Sequence, residues 1–254
     1  MAMSSAARGL ILPAIAAAIV TTILVSLGTW QVRRLAWKTD LITTLTARTR
    51  LAPVVAPTLA EARAADPQAL DWLAVRLTGR FLAVSDAPVH AVLGEPRGRF
   101  GGPGVWIMTP FARDDGSIVF VNRGFVPSRG RDLAPHAAPP TGETTLAGIL
   151  RRPEPRGAHT PVDDPAHRLW FVRDPAVLAA AVGLEASRVA PYTVDASADL
   201  TPAEGLPQAG ETRFSYPNDH LGYAVTWYGL ALACVGVFAV FARRRLRAGS
   251  IPQG

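Results

Sequence analysis

Two long runs without a charged residue bracket this chain and limit what it can fold into. Residues 10–29 and 221–242 contain no Asp, Glu, Lys or Arg, and a helix needs about 20 predominantly apolar residues to cross a bilayer. All twenty acidic residues lie between Asp40 and Asp219, outside both runs. A charge at mid-bilayer costs at least ~2.5 kcal/mol, and these segments avoid it. Both are predicted as transmembrane helices, which makes the lipid bilayer the first partner of the chain. A cleaved leader is the rival for the first run. That run is longer than the ~7–15 apolar residues of a leader core, and no clean small-x-small site follows it.

Charge gives the orientation. Arg243, Arg244, Arg245 and Arg247 follow the second run and place both termini in the cytoplasm. Arg33, Arg34 and Lys38 flank the other end of the first run and outnumber Arg8, which points the opposite way. The C-terminal cluster is given precedence, because long loops translocate despite their charge. The expected division is a cytoplasmic segment 1–9, a first span 10–30, an extracytoplasmic domain 31–219, a second span 220–242 and a cytoplasmic basic tail 243–254. The formal charge of +6 is not a phosphate-binding surface. With Arg8 and the four tail arginines set aside, residues 31–219 hold 21 basic against 20 acidic side chains, so no nucleic-acid partner is expected. The single cysteine, Cys234, lies within the second run. It excludes an intramolecular disulfide and any CxxC site, so the domain depends on its core.

The first span runs on in helical pattern, with Leu41, Ile42 and Leu45 at helical spacing to about Arg48. Residues 57–65 form another short candidate helix. From Trp72 the pattern turns strand-like: 75–82 alternates, 89–93 follows, and 105–109 with 118–121 flank Asp114-Asp115-Gly116-Ser117 as a hairpin. Residues 143–150 and 189–194 are further strands. Asp174, Pro175 and the apolar Val177, Leu178, Ala181 and Val182 mark a helix that stops before Gly183. The eight prolines of 127–165 make that stretch mostly loop. The predicted fold is a membrane protein with two transmembrane helices flanking a mainly antiparallel β (α+β) extracytoplasmic domain.

Enzyme signatures are missing: no GxSxG elbow, HExxH or Walker loop occurs. The chain is read as no self-contained enzyme. Gly98, Gly101, Gly102 and Gly104 run into a strand rather than a helix N-terminus, so they read as a mobile loop and not a phosphate cradle. His159, Asp163, Asp164 and His167 have metal-like spacing, but Pro161 and Pro165 interrupt any helix that would converge them. They read as a solvated loop, with a loop metal site as the alternative.

More informative is the start of the second span, where His220, Tyr223 and Trp227 fall at i, i+3 and i+7. Trp227 lies about 10 Å deeper than His220 at 1.5 Å per residue. An imidazole there can ligate iron while the aromatics lie against a porphyrin; the same residues also suit an ordinary interfacial belt. In the first span Trp30, Arg33, Arg34 and Trp37 fall at i, i+3, i+4 and i+7. The two arginines could receive carboxylates such as heme propionates, or snorkel toward lipid phosphates.

Three stretches carry a resemblance. Gly28-Thr29-Trp30-Gln31-Val32-Arg33-Arg34-Leu35-Ala36-Trp37-Lys38, Val121-Asn122-Arg123-Gly124-Phe125-Val126-Pro127 and Asn218-Asp219-His220-Leu221-Gly222-Tyr223-Ala224-Val225-Thr226-Trp227-Tyr228-Gly229-Leu230 resemble, in order, motifs of the Surfeit locus protein 1 family. Phe125 stands where a Trp is more usual. The resemblance implies an assembly factor for cytochrome c oxidase, in bacteria a plasma-membrane protein, that binds heme a and aids its delivery to the oxidase's catalytic subunit. It maps the heme ligand onto His220 with Trp227 beside the heme, and implies as partners that catalytic subunit and the heme a synthesis machinery. Two other readings stay open: an oxidase scaffold that binds no cofactor, and a membrane-anchored periplasmic hydrolase using the His159–His167 loop.

Overall fold

A computed structural model describes residues 8–129, 132–212 and 219–248. The chain divides into a helical unit made from its two ends and a sheet-rich unit that begins at Leu45.

Helix α1 (Ile11–Arg50), as far as Thr44, and the C-terminal α5 (His220–Ala248) form the first unit. Both are long and apolar enough to cross a membrane, with mean hydropathies of 2.3 and 2.0 over their best windows. Only 6% and 11% of those windows are buried within the protein, which separates them from the core helices of a soluble fold. Forty residues make α1 about 60 Å long, twice a bilayer's hydrocarbon core. The helix therefore does not stop where its apolar run does.

In the second unit, strands β1 (Val54–Val55), β2 (Ala74–Phe81), β3 (Ala87–Leu93), β4 (Gly102–Arg113), β5 (Ile118–Arg129), β6 (Asp132–Leu133), β7 (Thr144–Arg151) and β8 (Val189–Ala196) form one sheet. Three short helices accompany them: α2 (Leu59–Ala64), α3 (Pro67–Leu70) and α4 (Pro175–Ala181). Thr58 and Glu61 close a capping box at the start of α2, and Asp174 caps α4 through Ala176 N–H at 2.9 Å.

The sheet closes on itself. β2 pairs with β7, β7 with β8, β8 with β5, β5 with β4, and the last residues of β4 return to β2 through Phe111↔Phe81 and Arg113↔Gly79. Closure removes two sheet edges. Val75, Leu77, Phe111, Val119, Val121, Leu150, Tyr192 and Val194 form one buried cluster, while Met108, Phe120, Trp170 and Leu178 pack on the opposite side with α4.

The expectation of a mainly antiparallel sheet needs amending, since β1–β2 and β5–β8 pair in parallel. Between β5 and β8 the chain passes through β6, β7 and α4, the kind of long crossover a parallel neighbour requires. The glycine-rich stretch before β4 also differs from a mobile loop. Glu211 accepts the N–H groups of Arg97 and Gly98, both at 2.7 Å, and Gln208 clasps Phe100 N–H and C=O at 2.9 Å each. Four backbone hydrogen bonds from one distant segment pin it.

The β4–β5 turn is as the Asp-Gly pair suggests: Gly116 has φ +78, and Arg113 N–H donates to Ser117 C=O at 2.9 Å. Burial would raise the Asp115 carboxyl, but the Ser117 hydroxyl and N–H, with Arg113, outweigh it and hold it below its usual range. A β-branched side chain is costly at positive φ. Gly116→Val is expected to destabilise the sheet unit by about 1–2 kcal/mol while leaving membrane insertion intact. An unchanged thermal midpoint of the full chain would show that the turn carries no such strain.

Candidate functional site

α1 and α5 pack along seams of small and apolar residues spaced three and four apart. On α1, Gly28 and Gln31 are buried, with Leu24 and Leu35 half-buried; on α5, Ala224 and Ala231 are buried, with Trp227, Cys234 and Phe238 half-buried. That spacing is the signature of near-parallel helix axes. The pairing is antiparallel: His220 meets Gln31, Tyr228 meets Gly28 and Thr29, and Cys234 meets Ala17. Gly28 is required by approach, because a Cβ there would lie 2.9 Å from the Tyr228 ring. The Thr29 and Tyr228 hydroxyls share a hydrogen bond of 3.0 Å. Lipid offers little hydrophobic drive for helix association, so close packing and such polar contacts carry it.

At the seam's end His220 Nδ1 lies 2.7 Å from Gln31 Oε1. The contact ties Nδ1 to the α1 side chain, so that Nε2 is the ring nitrogen outside this pair. A ring nitrogen in that position is a common metal ligand. Trp30 meets the His220 ring edge-on, with centroids 6.5 Å apart and planes at 81°.

The residues singled out from the sequence separate into two groups. Trp30, though 55% exposed, meets His220, and Trp227 is half-buried on the seam two turns further along α5. Tyr223 is 57% exposed, and Arg33 and Arg34 point outward, with the Arg34 guanidinium 4.1 Å from the centre of the Trp37 ring. The stripe Trp30, Arg33, Arg34, Trp37 is thus not the face that α1 presents to α5. That face runs through Gln31, which was not singled out. Its signal was present: Gln31 is three residues from Gly28 and seven from Leu24, in register with the seam.

An iron–porphyrin fits the donor chemistry of this site. One imidazole has a ring nitrogen already hydrogen-bonded, as metal-ligating histidines characteristically do, the Trp30 ring lies beside it, and two exposed arginines stand on the following turn of α1.

The motif Val121–Pro127 is a clamp inside the sheet unit. Asn122 donates to Asp195 at 2.9 Å and accepts from Gly124 N–H at 3.0 Å. Arg123 is buried and donates to Thr109 at 2.8 Å, Ala137 C=O at 2.9 Å and Asp86 at 3.0 Å. Burial lowers its pKa against the pull of Asp86. Phe125 packs edge-on to Trp106 at 5.6 Å, so an aromatic at that position serves packing. Asp195 is the hub of this region. It binds Arg173 at 3.0 Å, Thr212 at 2.9 Å and Arg151 at 3.6 Å, and Arg173 also binds Glu154.

In the 159–167 loop, Asp163 is taken up by Arg156 and by Phe171 N–H, and Asp164 caps the turn at Pro165 and bonds His167 at 2.7 Å. Among the described residues no three His, Cys, Asp or Glu side chains group to hold a metal ion.

The comparisons with known proteins bear on most of the chain. The SURF1 family model matches residues 18–232, a span reaching from α1 into α5. Surfeit locus protein 1 of Xenopus tropicalis is 35% identical over 82% of this chain and 68% of its own length. The Homo sapiens protein of that name is 34% identical over 82% and 70%, and a SURF1-like protein of Monosiga brevicollis is 33% identical over 86% and 83%. Two apolar helices flanking a closed sheet, with the three motifs on α1, β5 and α5, accompany a match that covers most of the sequence: this chain belongs to the SURF1 family.

Proposed function

We propose that this protein is a membrane-bound assembly factor for cytochrome c oxidase that holds heme a at the His220 end of its helix pair and passes it to the catalytic subunit. The reading places the protein in the plasma membrane with both termini cytoplasmic and the sheet unit outside. The bound group would supply an iron centre with an open coordination position. His220 offers Nε2 as ligand, and Gln31, paired with Nδ1, acts as a positioning residue that fixes the ring's orientation. Trp227 and Trp30 give flat walls, and Arg33 and Arg34 have the length to reach carboxylates from outside the seam. No bond in the heme is made or broken, so the role is that of a carrier rather than an enzyme.

The Gln31–His220 hydrogen bond is the observation that carries this reading. A polar pair between two membrane helices strengthens their association, and at an imidazole it also fixes the ring's orientation for a ligand. A scaffold without cofactor needs only the packing. The two readings part when the full chain is purified from cells that make heme a. The carrier is expected to retain a heme a spectrum, and Gln31→Leu to keep heme with an altered spectrum and weaker retention, because the ring is no longer held. Protein that carries no heme from such cells would favour the scaffold.

A further inference from the structure

Within the sheet unit, the glycine-rich stretch before β4 and the segment after β8 enclose a cavity of about 480 Å³, a size at which small ligands are commonly held. Arg97, Arg99 and Phe100 line it from one side, and Ala198, Ala203 and Glu204 from the other. Its walls are fixed before anything binds. Gln208 and Glu211, which also line it, clasp the main chain of residues 97–100. Gln208 in turn exchanges main-chain hydrogen bonds of 2.8 and 2.9 Å with Phe125 of β5. A Cβ at Gly98 would lie 2.3 Å from the Gln208 side chain, so a glycine there is what lets the two walls approach.

The charges at this cavity are unevenly committed. Glu211 is 4% exposed, and its carboxylate is taken by the main-chain N–H groups of Arg97 and Gly98 at 2.7 Å and by the Gln208 side chain at 2.8 Å. The Arg97 guanidinium donates to Gly210 C=O at 3.3 Å, which lays it along the wall, and the Arg99 guanidinium lies 5.5 Å from the centre of the Phe100 ring. Neither arginine forms an ion pair among the described residues. A guanidinium carries a fork of N–H donors that matches a carboxylate, and one carbonyl and one ring leave most of those donors for a ligand. We infer that this cavity binds a small organic anion, a carboxylate on a compact flat body. Its acidic group lies on Arg97 and Arg99, and its body lies against the Phe100 ring and the methyl groups of Ala198 and Ala203. Glu204 is exposed at the same cavity and opposes the anion. The inference is independent of the ligand reading of His220.

Benzoate and benzamide isolate the charge, because they share a shape and differ in the carboxylate. In saturation-transfer NMR on the full chain in nanodiscs, with protein-free nanodiscs as the blank, benzoate is expected to bind about tenfold more tightly than benzamide. Arg97→Gln combined with Arg99→Gln should bring benzoate down to the level of benzamide and leave benzamide unmoved. Glu204→Gln should tighten benzoate, since it removes the opposing charge. Arg80→Gln, at an exposed arginine of β2 outside the cavity, should leave the preference intact. Equal affinities for the two probes in the unsubstituted protein would overturn the proposal. So would a preference that survives the paired arginine variant, or one that Arg80→Gln abolishes, which would assign benzoate to exposed arginines at large. Glu204 lies at the surface, so its substitution reads the cavity even where the arginine variants fail to fold. A benzoate affinity that Glu204→Gln does not move would overturn the proposal on its own.

Discussion

Asp195→Ala is expected to destabilise the sheet unit by about 3–5 kcal/mol, the loss typical when one partner of a buried ion pair is removed. Asp195 is 3% exposed and sits on β8. The change would leave Arg173 buried with only Glu154, and would remove the acceptor of Asn122 and Thr212. Asp195→Asn keeps the shape and much of the hydrogen bonding, so its loss should be smaller. Denaturation of the full chain followed by the β signal in circular dichroism reads both. Burial alone would raise the Asp195 carboxyl, but the charges of Arg173 and then Arg151 reverse the sign and hold it below the ordinary range. A depressed folded-state pKa contributes stability above the unfolded value of about 3.9 and loses it as pH falls through the folded value. The unsubstituted protein should therefore lose stability as the pH drops below about 4, and the alanine variant should lack that part of the acid dependence. Equal midpoints for the two proteins would show that the network is not a source of stability.

What could be read in the sequence was local. The two spans follow from the absence of charge, the β4–β5 hairpin from Asp115-Gly116, and α4 from Asp174, Pro175 and Gly183, because each signal lies within the element it specifies. Closure of the sheet was not legible. β4 divides its pairing between β3 and β2, and nothing in residues 102–113 marks the change of partner. The parallel β5–β8 pair depends on where a long crossover returns, which periodicity does not encode. The candidate site was half legible. His220 and Trp227 stand out as polar and aromatic residues entering an apolar run. Gln31 was obscured by its neighbours, because Trp30, Arg33 and Arg34 are chemically louder and form a tidy helical stripe of their own. Only the seam, defined by Gly28 and Leu24 against Tyr228 and Ala231, shows which α1 side chain meets the histidine. The Asn122-Arg123-Gly124 motif likewise announced itself without saying what it does. Its partners Asp195 and Asp86, and Gln208 paired with the adjoining Phe125, lie far away in sequence.

His220→Ala carries the largest functional effect: the full chain, purified from cells that make heme a, should lose the absorption of histidine-ligated heme a. Expression and membrane insertion should be intact, because the seam below keeps Ala224, Ala231 and Cys234 in place. Trp227→Ala should keep the ligand and shift the spectrum, since it removes packing rather than the donor nitrogen. Added imidazole should restore a ligated spectrum to His220→Ala, because it returns a donor to the vacated space; a scaffold defect would not respond to it. Loss of oxidase activity alone does not discriminate, as a failed scaffold would produce the same loss. The most direct measurement is the heme a spectrum of purified His220→Ala beside that of the unsubstituted protein. Loss of the ligated band with rescue by imidazole is the expected result, and full occupancy with an unchanged spectrum would contradict His220 as the ligand.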